Sequence, residues 1–372
     1  MKIYCIKSNL IENWSSAAAL SQSYYSRYKL MGDIEFVDFH QLQKITIQCD
    51  SIVIFCDYHY DFFELEKKIG CIPLNTKVLF HIYGDIFGRL KGLETSIKDL
   101  NSRAFKIVVG SKSAYNIAIK CLVDSNNLVL FPFMPNLKAI KSTKNKNNKF
   151  IYFGRISYYK NVHTLIDLFN EFSKSNPEHE LHIAGEIDNF RWRNNPTGNY
   201  FNYAGEKFDL SLQKAKSEGS NIFYHGHLSQ IKLKVLMSTC GVYITLSTSE
   251  LEDFGLSVSE ALENGLNVIA TKWGGIKEFS GCRGVDLIDV SLNRKTLCVS
   301  KSKLFKLLAS KESSFGVDYA QRVNEWKVQT INLNNIPTFL GFNDEFRSIR
   351  STTKIHREFF DYGKKFVSTM WE

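Results

Sequence analysis

Twelve short apolar runs, six on each side of a lysine- and asparagine-rich stretch, limit what this chain can fold into. Residues 2–6, 34–39, 51–55, 77–82, 106–110 and 129–131 make the first set. Residues 150–153, 181–184, 222–224, 242–246, 267–270 and 285–288 make the second. Apolar runs of this length between polar turns read as strands, and helix-length stretches separate several of them: 15–30, 113–122, 161–174, 230–238 and 257–264. Such alternation builds parallel βα units, so the class is α/β with two doubly wound sheets. Sheets of that kind take ligands at the carboxyl ends of their strands. The expected domains are 1–137, a polar linker at 138–149 with five lysines, a second domain at 150–343, and a helical tail at 344–372.

Composition narrows the function classes. At 372 residues the chain is long enough for two cores, and its 44% hydrophobic and 13% aromatic content is that of a folded protein. No apolar run approaches the roughly 20 residues that cross a bilayer. The first ten residues, MKIYCIKSNL, lack the regions of a signal peptide, so a cytoplasmic location is expected. Eight cysteines are scattered without a Cys-x-x-Cys pair, which reads as reduced core thiols. The net charge of +9 is uneven: residues 272–311 carry nine Lys/Arg against three acids. A basic face can meet an anionic membrane or substrate. No nucleic-acid module is visible. The stretch 15–30, with Tyr24, Tyr25, Arg27, Tyr28 and Lys29 at its end and Trp14 before it, is open to two readings: core packing, or contact with an anionic membrane surface.

The densest chemistry lies in residues 247–276, STSELEDFGLSVSEALENGLNVIATKWGGI. Glu252 and Glu260 stand eight positions apart around Phe254-Gly255, and a helix then begins near Leu256 and Ser257. A helix N-terminus after a glycine turn offers backbone N–H groups to an anion. Glu260, in the first turns, can accept hydrogen bonds from a vicinal diol, and Glu252 can reach a second set of hydroxyls. Upstream, a strand ends at Gly154 with Arg155 and Lys160 in the following loop. Two cations there can neutralise a diphosphate, arginine as a planar fork and lysine as a point charge. His225 and His227 lack a third partner at metal-ligand spacing, and no metal site is expected.

These segments resemble, in order, the motifs of retaining glycosyltransferases of family 4, which have the GT-B fold of two Rossmann-like domains facing each other across a cleft. The pair Glu252/Glu260 is similar to the family's Glu-x7-Glu signature, and Gly154-Arg155 with Lys160 is similar to its Gly-Arg-x4-Lys. Residues 181–186 (LHIAGE) resemble its strand ending in Ala-Gly. Residues 222–229 (IFYHGHLS) resemble a strand and loop where the nucleobase meets backbone atoms, which assigns Gly226 and Leu228 to the donor. Residues 245–249 (TLSTS) stand where the family commonly has a Pro-Ser strand end, and the five matches span about 150–280. The chain departs from the family in its first domain: residues 13–19 (NWSSAAA) stand where a Gly-Gly loop is common, leaving Ser15 and Ser16 as substitutes. Tyr83, before Gly84, stands where the family has a histidine, and His81 lies two residues earlier; both are candidates for donor-sugar or acceptor contact. Ser257 and Lys277 stand where prolines are frequent.

The resemblance implies transfer of a sugar, with retention, from a nucleotide-diphosphate sugar to a hydroxyl of a glycan or lipid-linked glycan, in bacterial surface-polysaccharide synthesis. Arg155 and Lys160 would hold the diphosphate, Glu252 the sugar and Glu260 the ribose, with backbone around Phe254, Gly255 and Leu256 assisting. No cofactor is implied beyond the donor substrate. The rival reading is an inactive homologue that scaffolds a glycan-assembly complex, whose mark would be loss of these cations or carboxylates. All four are present.

Overall fold

The structure, a computed structural model, describes residues 2–7, 23–55, 62–84, 86–96, 103–132, 148–187, 200–249, 252–293, 296–310, 316–328 and 331–348. The described chain forms two compact units. The first takes the N-terminal part up to 132 together with 323–348, and the second takes 148–322.

In the first unit six parallel strands appear in chain order: β1 Lys2–Lys7, β2 Asp33–Asp38, β3 Ile52–Phe55, β4 Lys77–Ile82, β5 Phe105–Val109 and β6 Leu128–Leu130. They lie side by side as β2-β1-β3-β4-β5-β6. Side chains alternate across the pleat, so Tyr4 and Ile6 enter one core while Ile3 and Cys5 enter the other. The helical residues 23–28 (α1) bury Tyr24, Tyr25 and Tyr28 in that second core. These tyrosines therefore face protein, not a membrane surface. Trp14, Ser15, Ser16 and the rest of 13–19 lie outside the described residues. Helices α2 Phe62–Gly70, α3 Ile86–Ser96 and α4 Lys112–Ile119 complete the βα units.

The second unit repeats the plan with β7 Lys149–Phe153, β8 Glu180–Ala184, β9 Ile222–Tyr224, β10 Val242–Thr245, β11 Asn267–Thr271 and β12 Val285–Ile288. Their spatial order is β12-β11-β10-β7-β8-β9, all parallel. Counted within the unit this is the dinucleotide-binding order, and its topological switch point falls between β7 and β10. Helices α5 Val162–Ser173, α6 Tyr200–Ser217, α7 Gln230–Thr239 and α8 Leu256–Glu263 connect the strands. A hairpin, β13 Val290–Asn293 with β14 Thr296–Val299, precedes α9 Lys301–Ala309 and α10 Tyr319–Lys327.

The expected boundary at 343 moves. Residues 331–342 already pack with the first unit: Ile331, Leu333 and Ile336 join the core around Tyr24 and Tyr28, and Phe339 and Phe342 join the opposite one. The backbone is laced in as well. Phe105 N–H donates to the Pro337 carbonyl at 3.1 Å, and Phe339 N–H donates to that of Arg103 at 2.9 Å. The segment is irregular, so its apolar residues carry no period that would mark them as core. The tail contributes α11, Asp344–Ser348, whose Phe346 is also buried in the first unit. Residues 349–372 lie outside the described chain, as does 138–147 of the expected linker; Lys149 already opens β7.

Candidate functional site

Both strands at the switch point of the second unit end in the residues singled out above. After β7 the chain turns at Gly154, presents Arg155 to solvent, and makes one 3-10 turn, Tyr158–Lys160, into α5. The Tyr152 hydroxyl donates to the Arg155 carbonyl at 2.7 Å and fixes the start of this loop. A Cβ on Gly185, the glycine of the Ala-Gly match, would stand 1.9 Å from the Gly154 carbonyl oxygen. Only glycine permits that approach, and the Gly185 N–H continues the contact by donating to the Gly226 carbonyl at 2.8 Å. The loops after β7, β8 and β9 thus close on one another through backbone.

After β10 comes Glu252. Its Oε2 receives the Lys160 ammonium and, at 2.8 Å, the Ser247 hydroxyl. The carboxylate side chain is 9% exposed and the lysine 21%. Burial alone would raise the Glu252 pKa. The Lys160 charge and hydrogen bond, the Ser247 hydroxyl and the Arg155 charge outweigh it and hold the group below its ordinary value. Ser247 is fully buried, and its carbonyl accepts from the Thr271 hydroxyl. Sequence reading passed over Ser247 as a site residue, although it lies within the matched segment 245–249.

The turn that follows is built on close backbone packing. The Gly275 N–H donates to the Glu252 carbonyl at 2.7 Å. A Cβ on Gly275 would come within 1.8 Å of the Asp253 carbonyl oxygen. Phe254 is buried and meets Phe279 edge-on at 5.5 Å. Gly255 has φ +80° and caps α8, a left-handed conformation that suits glycine. The first turn of α8 is tied to the sheet, because the buried Tyr243 hydroxyl donates to Ser257 Oγ at 2.7 Å. The amides of Leu256 and Ser257 therefore head a fixed helix end, where the macrodipole favours an anion. Glu260 lies one turn on, accessible to solvent, yet the protein around its carboxyl still raises its pKa, offset in part by Lys234. Gly226 and the half-buried Leu228 lie in the loop after β9.

The first-domain candidates sit at the end of β4. His81 is buried, its Nε2 lies 2.6 Å from the Tyr28 hydroxyl, and its ring is 4.3 Å from that of Tyr24. Burial and then the Arg27 charge lower its pKa to about 3, so the imidazole is neutral at pH 7. Tyr83 is also buried, stacked on Tyr24 at 5.8 Å. Of the three residues, Gly84, with φ +70°, has the most accessible surface. In the second unit His225 Nε2 faces His182 Nδ1 at 3.0 Å. Among the described residues no group of three or more His, Cys, Asp or Glu side chains converges on a point. No described helix is long and apolar enough to cross a membrane.

Residues 134–281 match the family described as glycosyl transferases group 1, the part of the chain that holds this site. Solved structures extend the likeness over both units. HepE from Anabaena, solved with UDP and glucose, superimposes with a TM-score of 0.59 at 12% identity, over 88% of this chain and 93% of that one. A glycosyltransferase from Rickettsia africae ESF-5 gives 0.55 at 14% identity, over 98% of each chain. The pneumococcal O-GlcNAc transferase GtfA, solved with UDP and GlcNAc, gives 0.51 at 15% identity, over 90% of this chain and 60% of its own. At these identities the likeness is one of fold, and the fold is GT-B. No curated protein matches the chain by sequence.

Proposed function

We propose that the protein is a retaining glycosyltransferase that moves a sugar from a nucleotide-diphosphate sugar to a hydroxyl of a glycan or lipid-linked glycan. The observation that carries this reading is the enclosed Lys160–Glu252 pair at the switch point, beside the glycine-capped start of α8. Lys160, Arg155 and the α8 N-terminus offer preorganised positive charge where a diphosphate leaving group would develop its negative charge. Glu252 accepts hydroxyls of the donor sugar, Glu260 accepts the ribose diol, and the loop of Gly226 and Leu228 meets the base. The bond from the anomeric carbon to the phosphate oxygen breaks while one to the acceptor oxygen forms on the same face. The acceptor proton passes to the departing phosphate oxygen. His81, Tyr83 and Gly84 are proposed to border the donor sugar or acceptor.

The relatives solved with UDP make UDP-sugars the first donors to try. A role in bacterial surface-polysaccharide synthesis, in the cytoplasm or at the inner face of its membrane, completes the proposal; the excess of lysine over 272–311 suits an anionic surface. Thermal unfolding with UDP-, GDP-, ADP-, CMP- and dTDP-sugars tests it. A donor at 100 times its Kd should stabilise by about 2.7 kcal/mol. That shift should depend on the base and disappear in Glu260→Ala and Arg155→Ala. If no donor raises the midpoint, the reading fails.

A further inference from the structure

We propose that Asn161 is a positioning residue for Lys160, pinning the turn that carries the cation to the segment that carries Glu252; the proposal rests on the donor reading above. Asn161 follows Lys160 directly and has φ 52° and ψ 32°. Among described non-glycine residues only Asp50 shares the left-handed region. Glycine would adopt that backbone at lower cost, so the asparagine side chain must supply something. An asparagine at a helix N-cap ordinarily accepts a hydrogen bond from the helix's own amides. Asn161 caps α5 without doing so. Its Nδ2 instead donates to the Leu246 carbonyl at 2.9 Å and to Thr248 Oγ1 at 2.8 Å. The Thr248 N–H returns the link by donating to the Tyr159 carbonyl at 2.9 Å.

The backbone on both sides of Lys160 is therefore tied to residues 246–248, just upstream of Glu252. A lysine ammonium rides on a flexible four-carbon stem and loses much rotamer entropy when it is fixed. Anchoring its backbone narrows where the charge can go before a ligand arrives, which is the benefit of preorganisation. The same bonds hold Lys160 within reach of both Glu252 and an incoming anion.

The test is calorimetric titration of UDP, GDP, ADP and dTDP into the full chain and its variants. Asn161→Gly keeps the backbone conformation and deletes both side-chain bonds, so the fold is retained. It should weaken the best-binding nucleoside diphosphate by roughly ten-fold. Thr248→Val, which deletes one acceptor, should give a smaller loss in the same direction. In a Lys160→Ala background, Asn161→Gly should change affinity by less than about two-fold, because the group it positions is gone. A general structural role would give the same loss in both backgrounds, and that result overturns the proposal. Equal affinity of Asn161→Gly and the parent overturns it too, while leaving the donor reading standing. If the parent binds none of the four diphosphates, the donor reading falls and takes this proposal with it.

Discussion

Burial alone would push the Glu252 carboxyl above its ordinary pKa. Lys160, Ser247 and Arg155 reverse that, and the folded-state pKa lies below the unfolded value of 4.5. The stabilisation is therefore present above the ordinary carboxylate range and is lost as pH falls through the folded pKa. Glu252→Gln should leave the lysine without a counter-ion, lowering stability at pH 7 by about 3 kcal/mol. Donor-dependent turnover should fall on the order of 10²–10³-fold. Urea unfolding and a transfer assay read the two effects; a variant as stable as its parent at pH 7 would show that the pair contributes no net stability. His81 loses stability in the same direction, although there the fold favours the neutral form. Its pKa falls from 6.5 to about 3 on folding, so the unfolded chain takes up a proton that the folded chain refuses. Stability should decline between pH 6.5 and 4.5 by roughly 2 kcal/mol from this residue alone. His81→Gln keeps a hydrogen-bonding partner for Tyr28 and does not titrate. Its unfolding free energy should show a shallower slope over that window, and an unchanged slope would assign the proton uptake elsewhere.

At the scale of elements, the site depends on two loops that only glycine can bring together. The turn after β11 and the turn before α8 touch through the Gly275 N–H and the Glu252 carbonyl. Gly275→Ala places a Cβ against the backbone of Asp253, which no side-chain rotation relieves. We expect a loss of 2 kcal/mol or more, about the cost of overpacking, together with loss of nucleotide binding, because the Glu252 segment must shift. Gly219→Ala is the control: its φ is +77° but an added Cβ meets nothing within 4 Å, so about 1 kcal/mol is expected and binding should survive. If both variants behave alike in thermal unfolding and titration, the close approach is not what matters. The strands were legible because each is a short apolar run, and the twelve expected ranges differ from the observed ones by a residue or so at their ends. Helix α6 was not read, although Ala204, Phe208, Leu212 and Ala215 make a buried stripe at helical spacing, because polar residues dilute it. In the site, charged residues at motif spacing were legible. Ser247 and Asn161 were not, since a serine or an asparagine in a polar loop announces nothing until its partners are known.

The whole molecule is discontinuous in sequence, and this is what the amino-acid order concealed most. The first unit lacks part of its core until the chain returns to it after the second unit has been completed. Ile331, Leu333, Ile336, Phe339, Phe342 and Phe346 all bury in it, and Lys91 seals the return by donating to the Phe346 carbonyl at 3.3 Å. At about 1.5–3 kcal/mol for each buried side chain, their removal would cost on the order of 10 kcal/mol. That is as large as the whole stability of an ordinary domain, about 5–15 kcal/mol. A chain ending at Arg322 should therefore fail in its first unit. In hydrogen exchange, the amides of β4 and β5 should lose protection while those of β10 and β11 keep it. Phe342→Ala is the milder probe: it should destabilise by about 3–5 kcal/mol, with faster exchange confined to the first unit. Equal loss of protection in both sheets would mean that the units unfold together. Full protection of β4 and β5 in the truncated chain would mean that the returning segment only covers a core already complete.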